Sequence, residues 1–328
     1  MTWHSRLKGD PLPWLLEPEN PSARYLALTE LLDRSPDDAD VIAARAAIPT
    51  FEPGRSILDA QYAGSDARQE LTGYWVKPDV GYSPKYRATV WQVIFLAQLG
   101  APPIDPIRRA CDYVLTRSRR ATDRSGNPDG RFVAGSGART AINCLNGNLV
   151  WALGRLDYGR DPRLIEAREA TARAIAGHGF GCYYNAELPC AWGDIKALRA
   201  FLAVPVGERS AALQTAIERG LEFLLSVPLL QAAYPTRGQV SQRWFNLGFP
   251  LGYQADLLEA MAALAQAGRG DHPYVQAGTE WLLARQDQAG RWALEQVPGK
   301  MWASVGQVGQ PNKWVTVRAL QLLKTIGR

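Results

Sequence analysis

The stretch that decides the fold runs from Tyr274 to Lys324. It reads YVQAGTEWLLARQ (274–286), then DQAGRWALE (287–295), a long polar loop, and PNKWVTVRALQLLK (311–324). Apolar residues in the first and last segments recur at helical spacing. Gly290 and Trp292 mark the turn between them. Weaker copies of this helix–turn–helix unit account for the rest of the chain.

Working outward, in SARYLALTELLDR (22–34) the residues Tyr25, Leu26, Leu28 and Leu31/Leu32 fall at helical spacing. Ser35 to Asp38 reads as a stop and a helix cap, followed by the helix ADVIAARAAI (39–48) and the short RSILDAQYAG (55–64). In PKYRATVWQVIFLAQLG (84–100), Pro84 stands where a first-turn proline belongs and Gly100 where a terminating glycine belongs. Downstream, amphipathic segments alternate with segments apolar on nearly every face, and a helix of the second kind is buried all round.

Six such apolar helices are expected, near 22–33, 84–99, 138–155, 189–204, 248–267 and 311–325. Their spacing of roughly fifty to sixty residues is at or just above that of helical-hairpin repeats. No stretch alternates like a strand. The expectation is an all-α chain, one domain over 1–328, built as an (α/α)6 toroid of about six hairpins. An open solenoid is the alternative; it would leave the inner helices amphipathic. A closed ring has a central cavity, with the starts of the inner helices at its mouth.

The net charge of +5 comes with no basic stripe carrying interleaved aromatics, which argues against a nucleic-acid partner. Eleven Trp supply rigid walls for an apolar or cationic pocket. Four Cys, at 111, 144, 182 and 190, are too few and too spread for a disulfide framework. There is neither a signal-length apolar run at the N-terminus nor a run of about 18 apolar residues, so no spanning helix is expected and the cytoplasm is the expected compartment.

Four groups of residues could carry chemistry. His178, Cys182 and Cys190 lie between an outer and an inner helix, and Cys144 starts the neighbouring inner helix. Together they form a candidate Zn2+ set, with buried free thiols as the alternative. Trp192, Asp194 and Lys196 open one inner helix; Asp194 is either a helix-dipole residue or a cavity-facing general acid. Trp244, Phe249, Tyr253 and Asp256 form the third group, with Tyr253 and Asp256 expected on one helical face and Asp256 a second candidate acid. Lys313, Trp314 and Arg318, with Lys85 and Tyr86 and the nearby Trp91, are candidate ligand-binding residues at the cavity mouth. For Arg318 the alternative is an ion pair with Asp256 or Glu259 across the ring. Gly135 to Ala141 (GSGARTA) lacks the strand and lysine of a phosphate loop.

The run Gln286 to Trp292 (QDQAGRW) resembles the Q-x-x-x-G-x-W repeat of squalene–hopene cyclases, and Gly73-Tyr74-Trp75 and Gly130-Arg131-Phe132 approximate its Gly-x-Trp. With WFNLGFPLGYQADLLEAMAAL (244–264) and PNKWVTVRALQLLK, they make the chain similar to the α/α-toroid superfamily of terpenoid cyclases and protein prenyltransferase β subunits, and to squalene cyclase-like proteins. The resemblance implies a toroid with an apolar cavity acting on an isoprenoid-type ligand. The D-x-D-D acid motif of class II cyclases is absent, since residues 37–40 read D-D-A-D. So is the prenyltransferase zinc motif, because Cys111 and Asp112 are adjacent. A non-catalytic toroid that binds a ligand or a protein, with structural zinc, is the alternative.

Overall fold

A computed structural model describes residues 3–62, 72–122, 126–135 and 140–327. The end of the expected 55–64 helix, the first residues of the helix expected at 138 and most of Gly135 to Ala141 fall outside the described residues. The described chain is all-α, with four isolated β-bridges and no strand. Its helices are α1 (Leu12–Leu15), α2 (Pro21–Leu26), α3 (Ala39–Ala47), α4 (Gly54–Asp59), α5 (Thr89–Gln98), α6 (Asp105–Tyr113) and α7 (Asn143–Leu153). They continue with α8 (Pro162–His178), α9 (Ala191–Leu202), α10 (Ala211–Leu224), α11 (Leu257–Leu264), α12 (Pro273–Ala284) and α13 (Lys313–Ile326).

Burial sorts these helices into two sets. Every residue of α5 is buried, as are all but two of α7 and all but two of α9. In α6, α8 and α10 only one face is buried, the amphipathic pattern of an outer layer. The inner helices touch in cyclic order: α5 with α7, α7 with α9, α9 with α11, α11 with α13, and α13 with α2. Ser22 of α2 closes the circuit. Its hydroxyl accepts from Trp314 Nε1 at 2.8 Å and donates to Leu99 O, at the end of α5, at 2.8 Å. The tightest crossing is α7 on α9, where a Cβ added to Gly147 would stand 2.3 Å from the Lys196 backbone.

The Gly-x-aromatic turns rivet the two layers. Gly73, Gly130 and Gly290 have φ of +84°, +83° and +73°, where a side chain is strained. Two residues on, Trp75, Phe132 and Trp292 are fully buried. The amides of Trp75 and Trp292 donate to the hydroxyls of Thr89 and Thr316 on inner helices, at 3.1 and 3.0 Å. Their indoles donate to carbonyls of the preceding outer helices, Ile57 O and Leu282 O, both at 2.8 Å. At Phe132 the Asn146 amide side chain takes the hydroxyl's place.

Three helix starts differ from the sequence expectation, and one of them is α7, expected from 138 but beginning at Asn143. Pro84 does not open a helix: Tyr86 has φ +67°, residues 84–88 form a turn, and α5 begins at Thr89. The helix expected from 248 begins at Leu257, because Asp256 caps it by accepting from Glu259 N at 2.8 Å. Gly100 does end α5, with φ +75°. Asp38 caps α3 through the amides of Asp40 and Val41.

Candidate functional site

The N-terminal ends of α7 and α9 and the segments leading into α5 and α11 surround a cavity of about 550 Å3. This size suits a small-molecule ligand. Its walls carry Tyr82, Tyr184, Trp192, Tyr234, Trp244 and Tyr253. Trp192 meets Tyr253 edge-on at 5.9 Å between ring centres. The Lys85 ammonium lies 4.4 Å from the centre of the Tyr253 ring. Lys85 and Arg237 are exposed, so positive charge sits at the rim and aromatic surface inside. Burial pushes the Tyr82 and Tyr234 phenols well above their ordinary values, which keeps them neutral.

Of the expected ligand-binding residues, Lys85, Trp192, Trp244 and Tyr253 line this cavity. Tyr86 and Trp91 form a second layer: Tyr86 stacks on Tyr253 at 6.3 Å, and Trp91 packs on Tyr86 at 5.1 Å and donates to Tyr82 O. Lys313, Trp314 and Arg318 are elsewhere, so the two basic groups do not converge on one mouth. Lys313 pairs with Glu17 at 2.8 Å. Trp314 and Arg318 line a second cavity of about 440 Å3, at the C-terminal ends of the inner helices. There Arg155, Arg199 and Lys324 also stand where helix dipoles favour cations.

Neither expected acid lines the aromatic cavity. Asp256 precedes α11 rather than sharing a helical face with Tyr253, and it takes the ion-pair alternative with Arg318. Burial alone would raise its pKa. The charge and hydrogen bonds of Arg318, with the amides of Gly248 and Glu259, outweigh that and hold it below the ordinary value. Asp194 is fully buried against α10, and its Oδ1 would lie 2.5 Å from a Cβ on Gly220. Neither of its oxygens finds a hydrogen-bond partner among the described residues, and burial pushes its pKa well up. Lys196, also fully buried, pairs with Glu259 at 2.5 Å, and Arg199 shares that carboxylate at 3.2 Å.

The thiols divide. Cys144, Cys182 and Cys190 line the aromatic cavity, while His178 is exposed on the last turn of α8 and is not part of its lining. Among the described residues no three His, Cys, Asp or Glu gather closely enough to hold a metal ion. Interaction with Cys190 and with the nearby amides of Tyr184 and Asn185 holds the Cys182 thiol below its ordinary value, and interaction with Cys182 together with burial holds Cys190 above it. Burial pushes Cys144 up to about 12. Sequence reasoning missed Tyr82, Tyr234 and Arg237 as lining residues, because loops bring them there and no helical period marks them.

Fold and site together define an all-α protein whose cyclically packed helices enclose an aromatic cavity with a thiol pair in its wall. No family model and no curated protein matches the chain. Among solved structures, a protein from Actinoplanes is 17% identical, covering 94% of this chain and 90% of its own, with a TM-score of 0.45. The apo type II terpene cyclase MstE from Scytonema is 12% identical, covering 82% and 95%, with a TM-score of 0.28. At these values neither establishes an activity for this chain. None of the described helices is long and apolar enough to cross a membrane.

Proposed function

We propose that the chain is a toroid that binds a predominantly apolar, isoprenoid-type ligand in the aromatic cavity, with the ligand's polar end toward Lys85 and Arg237. One observation carries the reading: six Tyr and Trp residues line about 550 Å3, and the cations stand at the rim. Ring faces favour branched, unsaturated carbon and any cationic character developing on it. Cyclase- or transferase-like chemistry would extend this reading. It assigns no step to Asp194 or Asp256, which lie outside the cavity lining.

The test is a tryptophan-fluorescence titration with farnesol and farnesyl diphosphate, beside a native mass spectrum of the freshly purified protein. Both probes are expected to quench the wild-type signal and appear as one-to-one adducts, the diphosphate binding more tightly. Trp192→Ala should weaken both about tenfold, roughly the loss of one well-packed aromatic contact. Lys85→Met should weaken only the diphosphate. Absence of adducts and of quenching with both probes overturns the reading.

A further inference from the structure

The sequence from Phe180 to Cys190 folds back on itself as a narrow ribbon. Gly181 and Pro189 form an antiparallel bridge. On either side of it, Cys182 N donates to Leu188 O at 3.1 Å and Cys190 N to Phe180 O at 3.0 Å. Cys182 therefore stands opposite Leu188. Side chains alternate between the two faces of such a ribbon, so Leu188, Cys190 and Cys182 share one face. That face is turned to the aromatic cavity, whose lining contains both Cys182 and Cys190. The two side chains are also close enough to each other to interact directly. Neither is sealed in the core: both are partly exposed, whereas Cys111 and Cys144 are buried.

We propose that Cys182 and Cys190 form a redox-active dithiol in the cavity wall, which exchanges with a small-molecule disulfide. In the first step the Cys182 sulfur, as thiolate, attacks one sulfur of R–S–S–R. A Cys182–S–S–R bond forms, the original S–S bond breaks, and RS− departs. Cys190 then gives its proton to solvent and its sulfur attacks the Cys182 sulfur. The Cys182–Cys190 bond forms as a second RS− leaves. The two cysteines together lose two electrons and the small disulfide gains them, so the exchange balances without another reactant.

The site is independent of whichever ligand fills the cavity, and it is tested without one. The reduced, full-length protein is treated with glutathione disulfide, and its thiols are counted and mapped by peptide mass spectrometry. The expected result is loss of two of the four thiols, one peptide pair joined through Cys182 and Cys190, and complete reversal by dithiothreitol. Cys190→Ser should instead stop at a stable glutathione adduct on Cys182, and Cys144→Ser should behave like the wild type. Circular dichroism confirms that each variant is folded. Four thiols remaining in the wild type, a bond that includes Cys144, a persistent wild-type adduct, or one equivalent of zinc retained on the thiols would each overturn the proposal.

Discussion

Arg318 grips Asp256 with both arms of its guanidinium, Nη2 to Oδ1 at 2.6 Å and Nη1 to Oδ2 at 2.9 Å. Nη1 also donates to Gly248 O at 2.6 Å, so α13 is tied to the loop that leads into α11. Asp256 is fully buried, and removing its partner strands a charge there. Arg318→Met should lower unfolding stability by about 3–5 kcal/mol at neutral pH, measured by urea denaturation. Because folding depresses the Asp256 pKa, the unfolded chain takes up the proton first as pH falls. The pair's contribution is therefore whole above about pH 4 and fades as pH drops through the lower, folded value. Wild type and Arg318→Met should converge in strong acid.

Asp194 has the opposite sign. Its pKa is raised by folding, so the unfolded chain releases the proton first and stability declines as pH rises above about 4. Asp194→Asn cannot ionise. Thermal unfolding should show the variant more stable than wild type at pH 8, with the advantage shrinking towards pH 4. Equal differences at both pH values would refute a buried, partnerless carboxyl.

Gly147 and Gly154 lie one helical stretch apart and should respond oppositely. A methyl on Gly147 meets the Lys196 carbonyl carbon at 2.3 Å, whereas nothing lies within 4 Å of one on Gly154. Gly147→Ala should cost about 1–3 kcal/mol by forcing α7 from α9. Gly154→Ala should be neutral or stabilise by up to about 1 kcal/mol, since alanine favours the helix. Chemical denaturation of the two variants is the check.

The rivets at Trp75 and Trp292 are expected to be equivalent in strength. Thr89→Val and Thr316→Val keep the shape of the side chain but remove the acceptor for a buried tryptophan amide. Each should lower stability by about 1–3 kcal/mol, the cost of an unsatisfied buried donor. Hydrogen exchange should report faster exchange at the Trp75 and Trp292 amides in the respective variants.

The two-layer arrangement was legible because all-round apolarity, as in Val90 to Leu99, has one physical meaning at this length. The Gly-x-aromatic turns were legible for a similar reason: a positive φ beside a large ring leaves few other solutions. Helix starts were harder to place. Pro84 and Asp256 each suit more than one position near a helix N-terminus, and the bond from the Gln92 side chain to Tyr86 O and the ion pair with Arg318 settle which. The direction in which a side chain faces was least legible. Asp194 and Trp192 are neighbours on one inner helix, yet one turns to α10 and the other to the cavity. Helical spacing ranks faces only relative to each other, and it could not say which face belonged to the cavity.

The Ser22–Trp314 bond spans 292 positions, while the other inner helices meet neighbours much nearer in sequence. Contacts that distant cannot form until both α2 and α13 have been made, and they carry a large loop-closure entropy. During synthesis the arc must wait with its first greasy flank bare until α13 emerges from the ribosome. This seam is where premature self-association, or help from a chaperone, would be concentrated.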